Sequence, residues 1–205
     1  MNAITRRRRF SHGFSLVELT IVLGIIGVVM GGVWTWVTNA WENQRQEQLS
    51  EEIATVVKNT RAAFSGQQNT GGSGLLNTQL INAGAFPASM LRAGVSGVVD
   101  NPWNSSVVGG SFVVCGWSPG LPIPVCGQLH AQYFAIELEK VPLSSCITAA
   151  VRNSGIKAVP GLVNVFINSS SLVSSGFPVS PATAQSKCTV GSTLDFVFRL
   201  TAPPS

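Results

Sequence analysis

The stretch Gly13-Phe14-Ser15-Leu16-Val17-Glu18-Leu19-Thr20-Ile21-Val22-Leu23 decides how the rest of this 205-residue chain is read. It opens an apolar run from Phe14 to Val37, and 23 residues between Glu18 and Glu42 carry no charge. As a helix they would span about 34 Å, enough to cross a hydrocarbon core of about 30 Å. The surrounding composition agrees. Only 11% of residues are charged and the mean hydropathy is +0.31, against about a quarter charged in a typical soluble domain. Four of the 13 basic side chains are Arg6, Arg7, Arg8 and Arg9, and without residues 1–13 the chain has nine basic and nine acidic groups. The basic pI therefore belongs to a leader and carries no argument for nucleic-acid binding. The next basic residue is Arg45, so the positive-inside rule leaves residues 1–13 in the cytoplasm and everything past Trp41 outside.

A secretory signal would end at a small-x-small cleavage site, but the exit here is Val33-Trp34-Thr35-Trp36-Val37-Thr38-Asn39-Ala40, bulky and aromatic. Arg7-Arg8-Arg9-Phe10 fits a twin-arginine start, which Glu18 inside the apolar region opposes. The stretch quoted first instead resembles the type IV prepilin signature, with its Gly, aromatic, hydroxyl residue, Leu, branched apolar residue and Glu. That resemblance implies cleavage between Gly13 and Phe14 by an inner-membrane prepilin peptidase, followed by methylation of the Phe14 amine. It also implies that Glu18 pairs with the Phe14 amine of a neighbouring subunit. Independently, a carboxylate inside an apolar helix costs a few kcal/mol, so Glu18 should have a partner or a function. Gly24, Gly27 and Gly31 share one helical face and include a G-x-x-x-G, a pattern that lets helices approach closely. Gly31-Gly32 is the weakest point of the helix.

Beyond the span, Leu49, Ile53, Val56 and Phe64 continue an apolar stripe, with Glu47, Glu51, Glu52, Lys58 and Arg61 placed mostly elsewhere. One helix over residues 14–66 fits both halves, stopping near Ser65-Gly66 before a loop at Gln67–Gly74. Strands are expected at Ser111–Val114, Gln132–Leu138, Val163–Ile167 and Leu194–Leu200, short helical character at Pro142–Arg152, and irregular chain at Gly176–Ser186. The expected fold is α+β: a long N-terminal helix, transmembrane in its first half, packed by its second half on an antiparallel sheet in a 67–205 domain. Asn101-Pro102-Trp103-Asn104 resembles a turn of the larger, type IVb-like pilins, including those of conjugative thin pili.

Four cysteines follow the membrane segment without C-x-x-C spacing, which in an exported domain reads as disulfides and not as zinc or redox chemistry. Three connectivities are open. The favoured one joins Cys115 to Cys126 around a Pro-rich loop and Cys146 to Cys188, the latter resembling the C-terminal disulfide of type IV pilins. Loops of those lengths are worth about 3 and 4 kcal/mol in the chain-entropy model. His130 is the one histidine of the exported part, and Asp100, Glu137, Glu139 and Asp195 are scattered along it. No Gly-x-Ser-x-Gly elbow, phosphate loop or metal-ligand spacing accompanies them, so no catalytic residue, metal or cofactor is expected.

The reading is a precursor of a type IV pilus subunit: inner-membrane first, then extracellular in a filament. The resemblance implies as partners prepilin peptidase, other pilin subunits and an inner-membrane assembly platform, with no nucleic acid bound by the subunit itself. Two rivals are a pseudopilin of a type II secretion system and a membrane-tethered exported binding or enzymatic domain. A mature chain of 192 residues, the Asn-Pro-Trp turn and the two expected disulfides favour the pilin.

Overall fold

The computed structural model describes residues 15–71, 74–103, 110–118, 131–155, 159–172 and 177–201. Contacts divide the chain into two compact units, Met1–Trp41 and Glu42–Ser205. Helix α1, Leu16–Ala63, begins in the first and ends in the second.

In the first unit, the described part of α1 is apolar and exposed: Leu19, Ile21, Leu23, Ile25, Val28 and Met30 are each more than half accessible. It is the one described helix long and apolar enough to cross a membrane. Ser15 precedes it, and its carbonyl accepts the first helical hydrogen bond from Leu19 N at 3.1 Å.

The second unit is built around a five-stranded antiparallel sheet. After α1 come the short helix α2 (Asn77–Asn82), strand β1 (Phe112–Trp117), β2 (Tyr133–Val141), helix α3 (Leu143–Asn153), β3 (Leu162–Ile167), β4 (Ser170–Ser171), helix α4 (Pro181–Lys187) and β5 (Ser192–Arg199). The spatial order is β1-β2-β5-β3-β4, so the last strand enters the middle of the sheet. The period-2 alternation of these β-branched and aromatic runs sends Phe112, Val114, Phe134, Ile136, Leu138, Leu194, Phe196 and Phe198 to one face. All are buried in one core cluster with Leu49, Ile53, Val56 and Val57 of α1. Each such side chain contributes about 1.5–3 kcal/mol of burial. Arg61, in the last turn of α1, donates to the carbonyls of Pro160 (2.7 Å) and Arg199 (3.1 Å), tying the helix end to β3 and β5.

The four expected strands fall within three residues of β1, β2, β3 and β5, the two-residue β4 lies outside the expected strands, and α3 occupies the expected helical segment. Two expectations need correction. The segment expected to be irregular contains α4, because Ser180 caps it, its Oγ accepting from Thr183 N at 3.1 Å, and Pro181 stands at the first helical position. Glu52, placed off the apolar stripe, is only 6% exposed. It lies three residues after Leu49 and four before Val56, which puts it on the stripe.

Cys146 at the start of α3 is bonded to Cys188 just after α4. Cys115, fully buried on β1, is also disulfide-bonded. Its expected partner Cys126 lies outside the described residues, as do Gly13, Phe14, Asn104 and His130.

Candidate functional site

Two places in the molecule bear on function, one in each unit. In the first, Glu18 stands in the first turn of α1, where the unpaired N–H groups of the helix favour a carboxylate. It is exposed and makes no hydrogen bond or ion pair with any described residue. Nothing among the described residues explains a charge at the head of this apolar run. The glycines behave the same way: a Cβ built at Gly24, Gly27 or Gly31 would meet nothing within 4 Å. No packing among the described residues requires small residues there.

The second place is at the start of the second unit, where Glu42 is the first charged residue after the apolar run. Its carboxylate accepts from Ser145 Oγ at 2.6 Å, from Trp103 Nε1 at 3.1 and 3.2 Å, and from Gln46 Nε2 at 3.2 Å. Gln46 Nε2 also donates to the Ser145 carbonyl at 3.2 Å. A loop residue and an α3 residue therefore converge on one helical carboxylate. The turn that supplies Trp103 is itself fixed. Asn101 Oδ1 accepts from Trp103 N at 3.0 Å, while Asn101 Nδ2 donates to the carbonyls of Ser111 (3.2 Å) and Glu139 (2.9 Å). Beside it, Arg92 holds Asp100 in a two-pronged ion pair, at 2.8 and 2.5 Å. The sequence showed the Asn-Pro-Trp turn but not its task.

Hydrogen bonds to charged groups contribute about 1.5–3 kcal/mol each. Trp103→Phe, which keeps an aromatic ring but loses the indole N–H, is expected to destabilise the second unit by about 2 kcal/mol. Thermal unfolding of the full chain followed by near-UV circular dichroism checks this, and an unchanged melting temperature would contradict it.

On the opposite face of the sheet, Cys115, Ala135, Val197, Trp117 and Phe166 form a smaller buried cluster. The Trp117 ring meets Tyr133 and Phe166 edge-on, at centroid separations of 5.7 and 6.2 Å. Asp195 on β5 and Glu137 on β2 lie directly opposite each other on this face. Asp195 is 3% exposed and its Oδ1 has no hydrogen-bond partner. Burial first, and the Glu137 carboxylate second, push the Asp195 carboxyl up to about 8. Burial and the nearby Glu139 raise Glu137 as well.

Comparison with known proteins accords with this geometry. A profile described as the prokaryotic N-terminal methylation motif matches residues 8–34. The major structural subunit of the bundle-forming pilus of Escherichia coli O127:H6 is 22% identical over 189 residues, covering 88% of this chain and 89% of that protein. The same subunit from Escherichia coli O111:H- gives the same values. Among solved structures, a type IV b pilin from Salmonella typhi superposes with a TM-score of 0.54 at 26% identity, over 73% of this chain and 97% of that one. The apolar helix, the antiparallel sheet and the Cys146–Cys188 bridge are thus those of a type IV pilin subunit. The family profile described as PilS N terminal matches residues 43–199. The chain belongs to that family.

Proposed function

We propose that this chain is the structural building block of a type IVb-like pilus, made as a membrane precursor and polymerised through the apolar half of α1. The observation that carries this is the unpartnered Glu18 at the head of an exposed apolar helix, within the span matched by the methylation motif. Prepilin peptidase would cut between Gly13 and Phe14 on the cytoplasmic side and methylate the Phe14 amine. In the filament that amine, on one copy, pairs with Glu18 of the next, neutralising both charges in a dry helical core. Gly24, Gly27 and Gly31 give neighbouring helices a face of close approach. Moving the helix from lipid to filament core exchanges one apolar environment for another, so little burial free energy need be lost. An inner-membrane assembly platform would supply extraction and ordering.

On this reading residues 1–13 are a removable leader, 14–66 the assembly helix, and 67–205 the exported domain that ends up outside the cell. The subunit is processed by enzymes without being one: its pilus relatives are structural subunits. Mass spectrometry of the purified protein is expected to find a chain starting at methylated Phe14. Gly13→Ala or a bulkier substitution should leave uncleaved precursor in the membrane. Material beginning at Met1, or past the apolar run, would refute the proposal.

A further inference from the structure

Glu52 occupies a position where the α1 stripe would otherwise place hydrocarbon. One carboxylate oxygen of its nearly buried side chain accepts from Gln48 Nε2 at 2.8 Å, and the other, Oε2, is buried with no hydrogen-bond partner. Gln48 and Glu52 form one wall of a cavity of about 350 Å³, and Met90, Leu91, Asp100 and Asn101 are among the residues opposite. Arg92 is the cation among the described lining residues, and its ion pair with Asp100 leaves those two charges balanced. Among the described lining residues, Glu52 is thus the one ionisable side chain without an oppositely charged partner. Burial raises the Glu52 pKa, with the Gln48 hydrogen bond opposing that shift. A buried carboxylate with an unmet acceptor is costly unless a cation or donor reaches it.

We propose that this cavity receives the ammonium or guanidinium group of a neighbouring copy of the chain, with Glu52 as its counter-ion. The proposal rests on the filament reading above and names a lateral contact in addition to the helical core. Complementary groups are present on the same molecule. Arg45, Lys58, Lys140, Lys187 and Arg199 are exposed, and their side chains make no hydrogen bond or ion pair with any described residue. Glu52 remains unpaired even though Arg45 lies on the same side of α1, two helical turns away. A copy packed alongside can present such a group without that constraint. The pair would set a counter-ion beside the Glu52 carboxylate in each subunit while excluding copies in the wrong register, where the carboxylate stays buried alone.

The decisive comparison is wild type against Glu52→Gln, in the full-length chain, by two measurements. The amide keeps the shape and removes the unpaired charge. The detergent-solubilised subunit should therefore melt about 3 °C higher. The same substitution should lower the yield of sheared, sedimented filaments about tenfold, because the neighbour's cation then lacks its counter-ion. These effects have opposite signs, whereas a purely intramolecular role moves both in one direction. Glu52→Lys should also fail to assemble. Combining it in turn with Arg45→Glu, Lys58→Glu, Lys140→Glu, Lys187→Glu and Arg199→Glu should restore filaments for one pair.

Wild-type filament yield from Glu52→Gln, or a parallel fall in subunit stability and filament yield, overturns the proposal. So does filament loss on removing divalent metal that is reversed by adding it back, which would make the occupant a metal ion. A wild-type chain that makes no filaments counts instead against the filament reading itself.

Discussion

Glu18→Val is expected to abolish filaments while leaving a processed subunit stable in the membrane fraction. Glu18 touches nothing described in its own chain, so its removal costs the fold nothing. Replacing a carboxylate by an apolar group in a membrane helix makes insertion easier by a few kcal/mol, so membrane residence should improve. On the proposed pairing, what is lost is the partner of a neighbour's Phe14 amine, which would then be buried without compensation. Membrane fractionation and electron microscopy of sheared material separate the two effects. Normal filaments from Glu18→Val would refute the proposed pairing, and a subunit missing from the membrane would refute the claim that the residue acts only between copies.

A second large effect concerns pH. A carboxyl raised from an ordinary 3.8 to about 8 binds its proton more tightly in the folded unit than in the unfolded chain. Its contribution is fully present below about pH 4 and is lost as pH rises through about 8. Between those limits Asp195 alone would lower stability by up to about 1.4 kcal/mol per pH unit. Glu137 on the neighbouring strand, itself raised and beside Glu139, acts in the same direction. Phe166 on the β3 side and Val113, beyond Glu137 on β1, bring no charge of their own. Asp195→Asn removes one titration and places an amide N–H₂ opposite the Glu137 carboxylate. Unfolding curves from pH 4 to pH 9 should converge for the two proteins at the acid end and separate steadily above it, with the variant more stable. Parallel curves would show that Asp195 is ionised throughout.

What the sequence disclosed, and what it withheld, follows from the range of the interactions. Ser111–Val114, Gln132–Leu138 and Leu194–Leu200 announce themselves as strands because alternation and β-branching act over a few neighbours, while the strand ends differ by up to three residues. The α1 stripe at Leu49, Ile53 and Val56 is equally local. Helix α4 carried a short signal, Ser180-Pro181, that the surrounding Gly and Ser outweighed. Asp195 alternates with Leu194 and Phe196, a pattern that usually points a carboxylate to water; here that second face of the sheet is buried too. The hydrogen bonds of Trp103 and Ser145 to Glu42 join residues 61 and 103 positions apart, and no spacing rule anticipates such pairs. At the N-terminus the reverse holds. Gly13, Phe14, Glu18 and the Gly24-Gly27-Gly31 face are legible as a motif in the sequence, and the partners proposed for them, a peptidase and other copies of the chain, are ones a single folded subunit does not display.

The convergence on Glu42 also matters for load. In the proposed filament, a pull along α1 would enter the second unit at this carboxylate, which is held by Trp103, itself anchored by Asn101, and by Ser145. The residue after Ser145 is Cys146, covalently joined to Cys188. The hydrogen-bonded anchor at Glu42 thus adjoins a covalent sulfur cross-link, and under load its side-chain hydrogen bonds would share the force in parallel instead of in sequence.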